Sequence, residues 1–162
     1  MASQSHEPSA GDFRRAAALM THRASTNADD VNEGVRAILE EAVAHGRLTR
    51  LLLALDEAYR IWLDKVGAAP REAVDYFVDH TASQHEDPYT RRAAAAIQAI
   101  RRDDVNALNA LLIEVNAENG GPRLVGAVSD IYTTAIPELS TPEVISDLQA
   151  WTLEIACYDH EE

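Results

Sequence analysis

Apolar residues recur three and four positions apart along most of the chain, with glycine, proline and short polar clusters between the runs. That period is the signature of amphipathic helices rather than strands. It predicts a first helix over about 12–24, with Phe13, Ala16, Ala17 and Met20 on one face. A second follows over about 30–45, capped by Asn27 or Asp29, with Val31, Val35, Ile38, Leu39 and Ala42 as its stripe. Gly46 stands where a helix needs a left-handed stop. The third, about 47–66, carries the broadest apolar face: Leu48, Leu51, Leu52, Leu55, Tyr59, Trp62 and Val66. Pro70 then opens a fourth helix to about 83, with Val74, Phe77 and Val78.

The same grammar returns. Asp87 and Pro88 form the cap and first turn of a helix over about 88–101. Two more follow over about 104–118 and 122–136, separated by "NGGP". The last opens at "STPE", with Thr141 as cap, Pro142 in the first turn and Ser140 and Glu143 at capping-box spacing. Its stripe is Ile145, Leu148, Trp151 and Ile155.

Two strings repeat. "RRAAA" occurs at 14–18 and 91–95, and "DDVN" at 29–32 and 103–106. At an offset of 74, Gly46 falls on Gly120 and Glu40 on Glu114. At 73, Leu51 falls on Leu124, Ala54 on Ala127 and Tyr59 on Tyr132; at 72, Pro70 falls on Pro142 and Asp75 on Asp147. The offset changes only between helices, where insertions are tolerated. The expectation is an all-α fold of about eight helices, made by tandem duplication of a four-helix unit with a period of about 73 residues. The product is either a pseudo-twofold helical bundle or a short stack of helical repeats. Residues 1–10 read as a disordered N-terminal segment, 11–84 as repeat 1, 85–158 as repeat 2 and 159–162 as an acidic tail, the repeats packing as one globular domain.

Composition supports helices and narrows function. Of 162 residues, 28 are alanine and only 9 aromatic, which suits close helix packing. The net charge is −13, the wrong sign for nucleic acid or an anionic membrane surface. After Arg123 there is no lysine or arginine, against 8 carboxylates, so the C-terminal third presents an acidic face suited to solvent or to a basic partner. The single cysteine, Cys157, excludes an internal disulfide and a cysteine metal cluster, and fits a reducing cytoplasm. The N-terminus has no secretory pattern, and the longest strongly apolar run, "LLLAL" at 51–55, is too short to span a bilayer. Thirteen of the fourteen basic residues are arginine, a usage expected of a GC-rich bacterial genome.

Catalytic chemistry is hard to find. Neither Glu-x-x-His nor His-Glu-x-x-His occurs, so the helical di-iron and zinc-protease patterns are missing. Asp79, His80, His85, Glu86 and Asp87 cluster in sequence, but five residues separate the histidines, which turns them to different helix faces. The tail "CYDHEE" offers donors without a scaffold, and the carboxylates beside Cys157 disfavour a reactive thiolate. Paired carboxylates at Asp29/Asp30, Glu40/Glu41 and Asp56/Glu57 diverge by about 100° on a helix and form no acid–base pair. Asp75 and Asp79 share a face.

No catalytic residue, metal site or cofactor is therefore expected. The reading is a cytoplasmic, non-catalytic interaction module that binds a protein partner, for which the acidic face would suit a basic one, and neither nucleic acid nor membrane. One alternative is a small-molecule binder or enzyme with an apolar pocket between the halves. The other is a self-associating structural protein. Tyr59, Trp62, Tyr132 and Trp151 are the candidate pocket or interface residues, and Arg91 and Arg102, about three turns apart on one face, are candidate contacts for an anion or partner.

Overall fold

The computed structural model describes residues 7–25, 33–44, 46–67 and 70–159, without the side chains of 24–25, 33–34 and 156–159. Among them the chain is all-helical. The order is α1 (Ala10–Ser25), α2 (Glu33–Ala44), α3 (Leu48–Val66), α4 (Arg71–Gln84), α5 (Pro88–Arg101), α6 (Val105–Ala117), α7 (Gly121–Ala135), a 3-10 turn (Pro137–Ser140) and α8 (Pro142–Asp159). No helix among the described residues is long and apolar enough to cross a membrane.

Local chemistry explains the boundaries. Helix α1 starts at Ala10, two residues before the expected point, because Ser9 and Asp12 form a reciprocal cap. The Ser9 amide donates to Asp12 Oδ2 at 2.8 Å, and the Asp12 amide donates to Ser9 Oγ at 3.3 Å. Residues 1–6 of the expected disordered segment lie outside the described residues, as do 160–162 of the tail. Asp87 caps α5 through the Thr90 amide at 3.1 Å, with Pro88 in the first turn. The second "DDVN" divides its two carboxylates between two tasks. Asp103 takes a left-handed φ of 53° and closes α5, while Asp104 caps α6 by accepting from the Ala107 amide at 3.0 Å. The first "DDVN" and its cap lie outside the described residues.

Helices α2, α5 and α6 end alike. A left-handed residue is followed by one whose amide reaches back to a carbonyl: Arg47 to Ala42, Asp104 to Ala99 and Gly120 to Val115. The left-handed residues are Gly46, Asp103 and Asn119. Asn119, not a glycine of "NGGP", therefore stops α6. Gly120 serves another purpose: an added Cβ would collide with the Tyr89 hydroxyl.

The last connection departs from expectation. Helix α7 stops at Ala135 because Ile136 precedes Pro137. A residue before proline is pushed out of the helical region, and Ile136 sits at φ −130°, ψ 75°. The chain makes one 3-10 turn before α8. Thr141 does not spend its hydroxyl on capping α8; it donates to the Glu138 carbonyl at 2.9 Å, closing that turn.

One continuous core draws side chains from every helix. Helix α1 packs mainly on α3 and α8, and α5 mainly on α7 and α4. Both helices carry "RRAAA", and Ala16, Ala17, Ala93 and Ala94 are fully buried, so short side chains let these neighbours approach closely. Contact of α1 with α8, helped by Thr21 and Thr152 hydroxyls 3.3 Å apart, brings the first helix against the last. An open stack of hairpins has no such closure. Packing partners also recur four helices on: α1–α3 with α5–α7, α1–α8 with α5–α4, α2–α7 with α6–α3, and α3–α5 with α7–α1. Helix α4 packs on α7, whereas α8 meets α3 through the Trp62–Trp151 contact beside a groove.

Candidate functional site: an acidic groove with two tryptophans

The groove is built at the C-terminal end of α3. The stripe that buries Leu48 to Trp62 reaches the surface there, at Val66, before Gly67 stops the helix with φ +64°. The facing wall is the 3-10 turn and the side of α8 bearing Glu143, Val144, Asp147, Ala150, Trp151 and Glu154. The groove between them is open along one side and holds about 570 Å³.

Trp62 and Trp151 meet edge to face across it, with ring centroids 5.9 Å apart and planes at 67°. Such a contact is a favoured aromatic geometry, because the positive edge of one ring meets the negative face of the other. Trp62 is 4% exposed, and its indole N–H has no acceptor among the described residues. Lys65, one turn further along α3, lies over the Trp62 ring with Nζ 4.8 Å from the centroid. The charged residues lining the groove are Lys65, Glu138, Glu143, Asp147 and Glu154, which leaves it strongly negative.

The two tyrosines lie elsewhere. Tyr59 and Tyr132 are each 1% exposed and stack at 4.6 Å with planes 11° apart, where α3 meets α7. Beneath them is a buried polar cluster. Asp56, 3% exposed, accepts a short hydrogen bond from the Tyr132 hydroxyl and a 2.8 Å hydrogen bond from Arg60 Nε. Ser129 lies near enough to the Tyr59 hydroxyl to lower its pKa, without reaching hydrogen-bond geometry. A void bounded by Arg60, Leu63, Arg71, Val74, Asp75 and Tyr132 is too small for a water molecule. The four aromatic candidates are thus split between a core stack and a surface groove.

Burial pushes the Tyr59 hydroxyl up to about 12. Tyr132 is held well above its ordinary value, first by burial and then by the negative charge of Asp56. In the unfolded chain both ionise near the ordinary value of about 10. Above that pH the unfolded chain releases protons that the folded chain retains. Stability is therefore fully present below pH about 10 and falls as pH rises toward about 12. In an alkaline titration, phenolate absorbance from these two rings should rise together with loss of the helical circular dichroism signal. Ionisation of all five tyrosines with the helices intact would contradict this burial.

The remaining candidates are dispersed. Arg91 and Arg102 are both exposed on α5 or its end, and Arg91 donates to the His85 carbonyl at 3.3 Å. His80 and His85 line a cleft of about 340 Å³ with Phe77, Thr81, Gln84 and Glu86. Among the described residues no group of three or more His, Cys, Asp or Glu could hold a metal ion. Asp75 faces Arg101 at 2.9 Å and Asp79 accepts from Gln98 at 2.8 Å, so this carboxylate pair ties α4 to α5. The Cys157 side chain lies outside the described residues.

Sequence reasoning passed over Asp56 and Lys65. Asp56 follows Leu52 by four residues and precedes Tyr59 by three, so it is a charge inside an apolar stripe. Lys65 is the chain's one lysine, placed three residues after a tryptophan. The chain matches no known protein family, and no curated protein or solved structure matches it.

Proposed function

We propose that the protein is a non-catalytic interaction module of the cytoplasm, which docks a basic segment of a partner protein in the groove between α3 and α8. The observation that carries this reading is the Trp62–Trp151 pair set in an open groove lined by four carboxylates and one lysine. Aromatic rings supply contact area and a negative face for cations, and carboxylates supply steering and register. The groove's openness leaves a bound group in contact with water, which suits recognition better than a reaction that needs water expelled. It also favours a side chain projecting from a larger body over a small molecule, which a pocket would enclose.

The proposal extends to origin. The fold is read as a duplicated four-helix unit closed into a pseudo-twofold bundle. The recurring packing partners, the repeated strings and the Tyr59–Tyr132 stack between equivalent helices support that reading.

Both tryptophans of the chain line the groove, so intrinsic fluorescence reports on it directly. Titration with a capped hexa-arginine peptide should change the emission at low salt and lose affinity at high salt, as charges are screened. A hexa-glutamate peptide should have no effect. The double substitution Glu143→Lys with Asp147→Lys alters two exposed side chains and should abolish binding while leaving the thermal melt intact. Equal binding by that variant would refute the groove as the docking site.

A further inference from the structure

We infer that the face of the Trp62 ring is a binding site for a guanidinium group of the partner, and that Lys65 holds this site in the free protein. The inference rests on the docking reading above and names the chemistry of its central contact.

Of fourteen basic residues, the chain places its one lysine in the groove. Its ammonium lies 4.8 Å from the Trp62 centroid, within the distance at which a cation is attracted to an indole face. Trp62 lines the groove and is 4% exposed, with Trp151 against it in one direction and Lys65 over its ring in another. The two covers differ in kind. Trp151 is half-buried and fixed by packing, whereas Lys65 is exposed, on a flexible four-carbon stem. Of the two, Lys65 is the one free to move off the ring.

An arginine suits the vacated face better than the lysine does. A planar guanidinium stacks flat on an aromatic ring and still presents donors around its edge. Here those donors would meet Glu138, Glu143, Asp147 and Glu154, which line the same groove. Two cations cannot share one ring face without repulsion. Entry of the partner's arginine therefore requires Lys65 to leave, and Lys65 acts as a built-in competitor that weakens every basic ligand.

The test is a set of fluorescence titrations with the capped hexa-arginine peptide on the full chain. Lys65→Met keeps the apolar stem and removes the charge, and should tighten binding about two- to fivefold, the strength of an exposed cation–π contact. Lys65→Arg keeps a competing cation that stacks better on the ring, and should bind no more tightly than the wild type. Arg91→Gln removes one exposed positive charge from α5 and controls for net charge; it should bind like the wild type. Wild-type binding with no gain in Lys65→Met, or an equal gain in Arg91→Gln, overturns the role of Lys65 and leaves the docking reading standing. Absence of binding in every variant overturns both.

A second measurement is independent of affinity. Because there is one lysine, its ε-methylene signal is unambiguous in a nuclear magnetic resonance spectrum. Ring current should shift that signal upfield in the free protein, and added peptide should return it to the ordinary lysine position. A signal that stays shifted while the tryptophan emission saturates would overturn the inference.

Discussion

Replacing Asp56 with alanine should destabilise the protein by about 3 kcal/mol or more, measured by urea denaturation. Asp56 is 3% exposed and satisfies two partners, the Tyr132 hydroxyl and Arg60 Nε. Removing it leaves a buried hydroxyl without an acceptor and a guanidinium without its hydrogen-bonded ion-pair partner. The Arg60 side chain keeps about a fifth of its surface in water, which places the loss toward the lower end of the range for broken buried ion pairs. Asp56→Asn keeps an acceptor and should lose less. The triple change Asp56→Leu, Arg60→Met and Tyr132→Phe removes all three partners together and should recover most of the stability, because none of them is then left unpaired by loss of the others. A loss below about 1 kcal/mol in Asp56→Ala would mean that water reaches the cluster.

Tyr132→Ala should cost about 4 kcal/mol, within the range for truncating a buried aromatic ring. The ring is 1% exposed, stacks on Tyr59 at 4.6 Å and donates to Asp56, so three contributions fall together. Separate substitutions resolve them. Tyr132→Phe keeps the stack and should lose about 1–2 kcal/mol for the hydrogen bond. Tyr59→Phe removes a hydroxyl that makes no hydrogen bond and should lie within about 0.5 kcal/mol of the wild type. A double-alanine cycle at the two positions should show a coupling of about 1 kcal/mol, the worth of a stacked pair beyond its burial. Additive losses would mean that the rings do not stack in solution.

Much of the fold was legible in the chain. Helix α5 spans Pro88–Arg101 as expected, because Asp87 and Pro88 fix its start and apolar spacing fixes its length. Gly46 stops α2 for the conformational reason that singled it out. These features act within a few residues, so local chemistry determines them. Other features depend on distant neighbours. A helical stripe tells which face is buried, but not what it meets; Tyr59 and Trp62 lie on one stripe, and only tertiary packing sends the first to the core stack and the second to the groove. Asp56 reads in sequence as half of a carboxylate pair that diverges on its helix, and its partner, the Tyr132 hydroxyl, is 76 residues away. Ile136 and Pro137 are the exception, since a residue before proline leaves the helix for local reasons and α7 could have been ended there. Four candidates, Arg91, Arg102, Tyr59 and Tyr132, do not join the groove, whereas Trp62 and Trp151 do.

The proline at the end of α7 has a further effect, on stoichiometry. Where α4 packs on α7, the 3-10 turn at Pro137 leads into an α8 that meets α3 beside an open groove. The cleft lined by Trp62 and Trp151 lies beside this turn. On the docking reading proposed above, each chain would offer this aromatic-and-acid seat, and a partner bearing several basic segments would gather several copies to fill its segments. Avidity would then come from the number of chains gathered on the partner rather than from two sites on one chain.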